Sequence, residues 1–397
     1  MFFLENQDLT NKKAIIRVDL NVPLDKNNNV TDTTRIEACI ETVDKVIKLG
    51  GSCVLLSHLG RPKGKDDKLS LKQIVETVSL VLKRPVAFHK DCIGSEAELA
   101  TSLLKPGQIM LMENVRFYEE ETTGDTGFAQ SLSKLGDIYI NDAFGTCHRE
   151  HSSTAVISKF FPGKKFAGKL LQKELEAISQ IADEGKKPVL AILGGAKVSS
   201  KLKILYNLIH KVDRIIIGGG MAYTFIRAKG GTTGNSLFEE ELIENAKEIL
   251  TIAEESGKEI ILPEDSLAST DFDNNEKIKT FKTSEIEEGW MGLDIGGESI
   301  EKFNKAIISS NTIFWNGPMG VFEKEKFSLG TRSICNSLKQ AKEKGVNVIV
   351  GGGDSIAALK KLGNKEWVTY ISTGGGALLE SLEGKILPGV KALSDDS

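Results

Sequence analysis

The chain has 397 residues, 40% of them hydrophobic and 27% charged, which is enough apolar material for a large core and excludes extended disorder. A single core rarely organises so many residues, so two domains are expected. The formal net charge of −4 excludes the broad positive potential that non-specific nucleic-acid binding requires, and any anion site must therefore be a local cluster of charge.

In the first half of the chain, short apolar runs alternate with longer amphipathic ones. The runs predict strands at residues 14–18, 53–57, 109–113 and 137–142, and the amphipathic stretches predict helices at 35–49 and 71–82. This alternation is typical of βαβ units with a parallel sheet. Apolar side chains then recur at helical spacing up to Gly185, which predicts a connecting helix over residues 171–185.

The same pattern restarts in the second half and predicts a second α/β domain. Strands are predicted at residues 189–193, 214–218, 260–263, 312–316, 347–351 and 370–373. Most of them end in glycines, at 194–195, 218–220, 351–353 and 374–376. Ligands of open α/β sheets bind outside the carboxyl ends of the strands, so these turns are candidate ligand-binding loops.

Cysteine usage and the first residues of the chain bear on its compartment. The five cysteines are scattered, form no CxxC pair and leave one over if paired, so a reducing compartment fits best. The opening residues include no basic segment followed by a long apolar run, and no stretch approaches the roughly 20 apolar residues of a membrane span. A cytoplasmic protein without a membrane segment is expected.

Arginine is scarce but selectively placed. Only nine of the 51 Lys and Arg residues are arginines, yet several lie at predicted strand ends or beside histidines in the first half. With their polar neighbours they are Arg17, Asp19, Arg35, His58, Arg61, Arg116, His148, Arg149 and His151. The rigid fork of donors on arginine fits carboxylate and phosphate oxygens, so converging arginines would bind a small, multiply anionic substrate. Any single one is equally compatible with a surface ion pair, and a lone histidine is more often structural than catalytic.

Two glycine turns of the second half also carry charged side chains. Lys197 and Lys201 lie four residues apart in GGAKVSSK, which predicts that they share one helical face, and Asp354 lies in GGGDS. Backbone amides of such turns approach phosphate oxygens, lysines reach phosphates, and an aspartate reaches magnesium. Taken singly, a glycine pair indicates no more than a tight turn.

Several common signatures are missing from the sequence. It has no P-loop, no GxGxxG after a strand, no protein-kinase catalytic loop and no Cys/His spacing of a zinc site. A phosphoryl-transfer enzyme of another architecture fits the residues that are present.

Nine motifs together resemble phosphoglycerate kinase in order and spacing over nearly the whole chain. They are RVDLNVP, SHLGRP, ENVRF, NDAFG with HREHSS, GGAKVSSK, GGGMAYTF, WNGPMGVFE, GGGDS and TGGGA. The resemblance implies two Rossmann-like three-layer α/β/α domains with parallel sheets, facing each other across a cleft and joined by a helix. It implies a monomer with a substrate domain at 1–170, to which a tail at 385–397 returns, a connecting helix at 171–185 and a nucleotide domain at 186–384.

By motif match, the resemblance assigns residues to three roles. The ligands of 3-phosphoglycerate or 1,3-bisphosphoglycerate would be Asp19, Leu20, Asn21, Arg35, His58, Leu59, Gly60, Arg61, Arg116 and Arg149. The ligands of ADP or ATP would be Lys201, Gly219, Gly292, Asn316, Glu323, Gly352, Gly353, Asp354 and Ser355, with Asp354 beside Mg²⁺. The transferred phosphoryl group would be steadied by Arg35, Lys197, Gly374, Gly375 and Gly376.

The implied reaction is phosphoryl transfer between 1,3-bisphosphoglycerate and ADP, made in line after domain closure, in glycolysis and gluconeogenesis. The acceptor carboxylate has no proton to remove, so positioning and charge neutralisation replace a general base. Cys147 and Glu150 stand where the family usually has small residues, and Glu150 is expected to compete with the substrate for Arg149. Leu20, where the family often has Phe, is a packing variation.

Two other classes of protein stay open. One is a NAD-dependent dehydrogenase, which would need the dinucleotide fingerprint that this sequence lacks. The other is a catalytically silent nucleotide-binding or scaffold protein derived from the kinase. That class predicts the loss of a transfer residue, whereas the sequence keeps Arg35, Lys197, Lys201 and Asp354. Fold analogy alone does not decide between these classes.

Overall fold

The structure is a computed structural model that describes residues 4–5, 7–273 and 277–394. The chain divides into two compact units. Unit 1 comprises Met1–Leu175 and Ile386–Ser397, and unit 2 comprises Glu176–Lys385. The last three residues of the predicted tail, 395–397, lie outside the described residues.

Unit 1 is built on one parallel sheet of six strands. They are β1 (Lys13–Val18), β2 (Ser52–Leu56), β3 (Val86–His89), β4 (Ile109–Met112), β5 (Ile138–Asp142) and β6 (Lys165–Ala167), in the order β3-β4-β2-β1-β5-β6. The α-helices are α1 (Thr34–Ala38), α2 (Ile40–Lys48), α3 (Val75–Leu82), α4 (Ser95–Ser102), α5 (Glu119–Thr123), α6 (Thr126–Ser133) and α7 (Lys169–Ala182), the last of which continues past Leu175 into unit 2. Strands β2 and β5 are buried along their whole length, as expected for central strands covered on both faces.

The predicted helix at 35–49 is two helices, because the chain breaks at Cys39. That residue is buried, and its backbone N–H donates to Ile36 O at 3.3 Å, three residues back, which tightens the turn there. Helix α2 then turns Thr42, Val43 and Val46 into the protein. Helix α1 is thus a short helix that carries Arg35.

Unit 2 contains a second parallel sheet and two smaller sheets. Its strands are β7 (Val189–Leu193), β8 (Arg214–Ile217), β9 (Thr232–Thr233), β10 (Glu259–Ile261), β11 (Asp265–Ser269), β12 (Ile278–Lys282), β13 (Glu285–Ile286), β14 (Met291–Ile295), β15 (Thr312–Asn316), β16 (Asn347–Val350) and β17 (Tyr370–Ile371). The main sheet has the parallel order β10-β8-β7-β15-β16-β17, with β7 and β15 buried throughout. The small sheets are the antiparallel β12-β11-β14 and the pair β13-β9.

In the described part of the chain, seven α-helices complete unit 2, and one short α-helix follows it. They are α8 (Leu202–Leu208), α9 (Met221–Ala228), α10 (Ile243–Glu255), α11 (Gly297–Ile308), α12 (Leu329–Glu343), α13 (Gly353–Leu362) and α14 (Gly376–Leu382), followed by α15 (Pro388–Lys391). Apolar side chains of α11, α12 and α13 pack with β15 and β16 into one core cluster. Within the described residues, no helix is both long and apolar enough to cross a membrane.

Helix α15 and its flanking residues pack on unit 1 around Cys147. The Gly389 N–H donates to Cys147 O at 2.9 Å, and a Cβ on Gly389 would lie 3.0 Å from Cys147 Cα. Cys147 is fully buried, and burial raises the pKa of its thiol to about 12. This buried thiol is therefore a packing group and not a nucleophile.

The first turn of α7 is capped by the side chain at the end of β5. The N–H groups of Leu170 and Leu171 donate to Asp142 Oδ1 at 2.9 and 3.2 Å. A Cβ on Gly168 would lie 2.2 Å from the same oxygen, so the cap requires glycine there. Burial is the main cause that raises the pKa of Asp142 to about 7.

This carboxyl makes the stability of unit 1 depend on pH. The unfolded carboxyl titrates near pH ~3.9, so between about pH 4 and 7 the folded state binds the extra proton. The contribution of Asp142 to stability is complete below pH ~4 and is lost as pH rises through its folded pKa. We predict that the free energy of unfolding of the wild type falls, relative to Asp142→Asn, by roughly 1 kcal/mol per pH unit between pH 5 and 7.

Hydrogen exchange of peptides from β1 and β5, corrected for intrinsic rates, would measure the free energy of unfolding of unit 1 alone at each pH. Tryptophan fluorescence during urea unfolding supplies the control, because Trp290, Trp315 and Trp367 all lie in unit 2. A difference between wild type and variant that stays constant from pH 5 to 8 would contradict the assignment.

Candidate active site

The polar residues singled out in the first half follow four neighbouring strands of unit 1. Asp19 follows β1, His58 follows β2, Arg116 follows β4 and Arg149 follows β5. These strands are adjacent, in the order β4-β2-β1-β5. Parallel strands present their carboxyl ends at one edge, so the four segments meet at one edge of the sheet.

Hydrogen bonds tie the loops after β1 and β2 to each other and to Arg116. The Gly60 N–H donates to Asn21 Oδ1 at 2.8 Å, and Gly60 O accepts from Arg116 Nη1 at 2.9 Å. The Leu20 N–H donates to Ser57 Oγ at 2.8 Å, and Asn114 Nδ2 donates to Leu59 O at 2.8 Å. These bonded loops form a shared frame. It keeps the predicted site residues Leu20, Asn21, Leu59 and Gly60 in fixed positions.

Arg35 reaches this frame from the short helix α1. Its Nη1 lies 2.8 Å from Asp19 Oδ2, and the two side chains are 37% and 11% exposed. Asp19 Oδ1 accepts the backbone N–H of Asn21 at 3.2 Å, which orients the carboxylate. The guanidinium of Arg35 is therefore positioned but remains accessible to a ligand.

Positive charge accumulates beneath these loops. Burial, and then the neighbouring Arg17, hold the pKa of His58 well below its usual value, so the imidazole is neutral. Burial, with Arg17 next in effect, lowers the pKa of Arg116 to about 10, and the buried Arg116 Nε has no hydrogen-bond partner among the described residues. Such a group is costly to bury unpaired, which indicates that an anion belongs here.

Arg61 and Arg149 differ from the other predicted substrate ligands because their side chains are exposed. Arg149 Nε donates to His148 Nε2 at 3.1 Å, and its charge contributes to the lowered pKa of Arg116. Arg61 is joined to the frame only through its neighbour Gly60 within the described chain.

The expected competition between Glu150 and the substrate for Arg149 is not supported by the structure. Glu150 is exposed, and no ion pair joins it to Arg149 within the described residues. We therefore predict that Glu150→Ala changes the KM for the anionic substrate of this edge by less than about twofold, since an exposed surface charge contributes little. A KM that falls several-fold in steady-state kinetics would restore the competition hypothesis.

Unit 2 contains a cavity of about 470 Å³ at the carboxyl end of its main sheet. That volume is typical of small-molecule sites. Of the predicted nucleotide ligands, Gly219, Gly292, Glu323 and Asp354 line it. Other lining residues that the sequence did not single out are Tyr223, Leu237, Phe272, Met291 and Met319. The wall is thus mainly apolar with carboxylates at Glu323 and Asp354, as a site for a flat base and a polar ribose requires.

Glycines allow the walls of this cavity to approach one another closely. A Cβ on Gly292 would lie 1.8 Å from Tyr223 Oη, and a Cβ on Gly219 would lie 2.6 Å from Gly195 O. Gly219 also has φ +64°, a left-handed conformation that side chains disfavour. The role of these glycines in shaping the cavity is therefore steric.

Lys197 and Lys201 do not share a helical face, and that prediction is wrong. Helix α8 begins at Leu202, and the residues before it form turns. Ser199 is held outside a helix because its N–H and Oγ both bond the Glu239 carboxylate, at 2.9 and 2.5 Å. Lys197 is exposed, whereas Lys201 is mostly buried and donates to Gly194 O at 2.8 Å. Burial lowers the pKa of Lys201 and the charge of Asp354 opposes that shift.

The remaining predicted residues of unit 2 lie at the ends of β15, β16 and β17. Asn316 Nδ2 donates to Gly351 O at 2.8 Å, and Ser355 Oγ accepts the Gly317 N–H at 2.6 Å. Gly352 precedes α13, whose first turn contains Gly353 and Asp354, and the 374–376 glycines lead into α14. The N-terminal amides of α13 thus lie beside Asp354, in an arrangement suited to phosphate.

The donor set for a metal ion is small. Among the described residues no group of three or more His, Cys, Asp or Glu side chains could hold one. Asp354 is exposed on the first turn of α13 and lines the cavity. One carboxylate suits Mg²⁺ that arrives with nucleotide phosphates, because this ion keeps waters and phosphate oxygens as its other ligands.

Two parallel-sheet units, one with a basic edge and the other with a glycine-walled cavity, define a phosphotransferase built without a P-loop. The family model described as phosphoglycerate kinase matches residues 4–385. The chain belongs to the phosphoglycerate kinase family.

Relatives and solved structures agree with this assignment over almost the full chain. Phosphoglycerate kinase 1, chloroplastic, from Arabidopsis thaliana is 48% identical over 99% of this chain and 81% of its own length. Phosphoglycerate kinase from Nostoc punctiforme is 44% identical over 99% and 98% of the two chains. The solved structure of phosphoglycerate kinase from Coxiella burnetii has a TM-score of 0.91 at 37% identity and covers 99% of this chain and 98% of that one. That from Pyrococcus horikoshii has a TM-score of 0.81 at 30% identity, with the same coverage.

Proposed function

We propose that the chain transfers a phosphoryl group reversibly between 1,3-bisphosphoglycerate and ADP, giving 3-phosphoglycerate and ATP. The observation that carries the proposal is the basic edge of unit 1, where Arg35 is accessible and the buried Arg116 Nε has no partner in the described part of the chain. An anion with a carboxylate and a phosphate would supply acceptor oxygens to the free donors of these guanidinium groups. The cavity of unit 2 supports the second half of the proposal, because its volume and glycine walls suit a nucleotide.

Roles within this reaction follow from accessibility and charge. Arg116, His58 and the Asn21 loop are proposed to hold the substrate, with Arg149 and Arg61 closing on it from exposed positions. Arg35 is proposed to neutralise charge on the phosphoryl group during transfer. In unit 2, Lys201, the α13 amides and the glycines before α14 are proposed to hold the nucleotide phosphates. Lys197, exposed on its turn, is assigned to the transferred group.

Magnesium enters this proposal with the nucleotide. Asp354 would hold the ion, which supplies neutralisation of the phosphate oxygens when bound. Because one reactant is assigned to each unit, direct transfer requires a conformation in which both units reach the same phosphoryl group. We also propose a cytoplasmic monomer; the reduced state of the compartment is supported by the five cysteines, which are all free and buried.

A coupled assay with ATP, Mg²⁺ and 3-phosphoglycerate tests the function. Turnover between about 1 and 1000 s⁻¹ is expected, as for ordinary enzymes, and a value below about 0.1 s⁻¹ would refute the proposal. The same protein with NAD and a panel of hydroxy acids serves as the control for the dehydrogenase alternative. Light scattering at working concentration, with and without substrates, tests the proposed monomer.

A further inference from the structure

A chain of buried hydrogen bonds runs under the basic edge of unit 1, from Glu121 to His58. Ser153 Oγ lies 2.6 Å from Glu121 Oε1 and 2.8 Å from Arg17 Nε. At the other end of the guanidinium, Arg17 Nη2 lies 3.1 Å from His58 Nδ1. Each of these four side chains is at most 3% exposed. Their connection is therefore independent of solvent.

Hydrogen-bond chemistry fixes the direction of every link in this chain. Arginine carries five N–H donors and no acceptor, so Ser153 Oγ and His58 Nδ1 must both accept from Arg17. The single hydroxyl proton of Ser153 is then donated to Glu121. Since His58 is neutral, its one ring proton must lie on Nε2. Nε2 makes no hydrogen bond within the described part of the chain, so this donor is available to a ligand.

Glu121 lies at the base of the chain, where burial raises the pKa of its carboxyl and the charge of Arg17 opposes that shift. Its second oxygen, Oε2, accepts the Ser153 N–H at 2.8 Å, so both carboxylate oxygens are held by the same residue. His151 Nδ1 lies 3.9 Å from Glu121 Oε1, but burial and the nearby Arg116 and Arg17 lower the pKa of His151 to about 4. His151 is therefore uncharged, and the charged group that faces the Glu121 carboxylate is Arg17. Removal of Glu121 or of Arg17 would leave the other as an uncompensated buried charge.

We propose that Arg17, Ser153 and Glu121 are positioning residues that lock His58 as the neutral tautomer with its proton on Nε2. In that form His58 donates a hydrogen bond to an oxygen of the bound phosphoglycerate and adds no positive charge to a site already rich in arginine. The inference rests on the proposed function, which assigns His58 to the substrate. It extends that assignment in two ways. It states that His58 presents an Nε2–H donor to the substrate, and it names the residues that fix this tautomer, two of which lie in distant segments of the chain.

Nitrogen chemical shifts of ¹⁵N-histidine-labelled protein test the tautomer directly, because protonated and unprotonated ring nitrogens have distinct shifts. The wild type should show His58 as Nε2–H from pH 6 to 8. In Ser153→Ala, the shifts should move towards a mixture of both tautomers, and the KM for 3-phosphoglycerate should rise about tenfold while kcat stays within about twofold. Ser153→Thr keeps the hydroxyl and should restore both values.

Ser158→Ala is the matched control, because it removes a buried hydroxyl whose only bond among the described residues is to Ala155 O, at 2.8 Å, outside the chain of bonds. It should alter neither the His58 shifts nor the KM. A wild-type His58 protonated on Nδ1 overturns the proposal, even if every variant fails to fold. So does a Ser153→Ala protein with wild-type shifts or with wild-type KM. Absence of turnover in the wild type would instead refute the proposed function and leave the tautomer measurement intact.

Discussion

Replacement of Arg35 by alanine is expected to lower kcat by about 10²–10³-fold, the loss measured when a group that stabilises developing charge is removed from an active site. The KM for 3-phosphoglycerate should change much less. Arg35 is accessible, and its ion pair with Asp19 is part-exposed, so folding should be almost unaffected. The effect would therefore be on the transition state, and steady-state kinetics with both substrates varied would measure it.

Two further variants make this prediction specific. Arg116→Ala should act mainly through KM, because Arg116 is fixed by its bond to Gly60 O and is assigned to the substrate. Arg35→Lys should remain impaired, since a point charge does not replace the planar fork of donors. Equal losses of kcat in the Arg35 and Arg116 variants would contradict the division of roles.

Replacement of Gly219 by alanine should abolish nucleotide binding and leave substrate binding intact. The new Cβ would lie 2.6 Å from Gly195 O and 2.7 Å from Gly195 N, and backbone atoms cannot move aside as a flexible side chain can. Both glycines line the cavity, so the displacement would deform its wall. We expect the dissociation constant for ADP to rise by more than about 100-fold, equivalent to roughly 3 kcal/mol. Calorimetry with 3-phosphoglycerate alone should give a dissociation constant within about twofold of wild type.

Gly230→Ala separates steric blockage from backbone strain. Gly230 also has a positive φ, +85°, but a Cβ there would meet nothing within 4 Å. This variant should lose about 1 kcal/mol of stability from strain and keep its affinity for ADP. If both alanine variants weakened ADP binding equally, the cavity wall would not be the cause.

Most of the two main sheets could be predicted from the sequence, because their central strands are continuous apolar runs. The run at 14–18 is β1, and the run at 312–316 coincides with β15. The small antiparallel sheet was not predicted. Its strand β12 buries only Phe281, so it has no apolar run to detect, and the short edge strand β3 is similarly weak.

Site residues that directly follow a strand could be predicted from the sequence. Site contacts between segments distant in the chain could not. The positions of His58 and Arg116 follow from strand ends. The bond between Arg17 and Ser153 joins residues 136 apart in the chain, and no spacing rule reaches that far. For Lys197 and Lys201 a spacing rule applied but gave the wrong result. Their spacing fits a helix, whereas the Glu239 carboxylate holds the intervening Ser199 in a turn.

The packing of residues 386–394 on unit 1 sets an order of events during synthesis. Unit 2 is one continuous segment, whereas the segment that packs around Cys147 is translated only after all of unit 2. On the ribosome, unit 2 can therefore complete its fold while unit 1 still lacks the contacts of α15. Unit 1 therefore completes its fold after unit 2, and until residues 386–394 emerge the surface around Cys147 lacks the cover of α15.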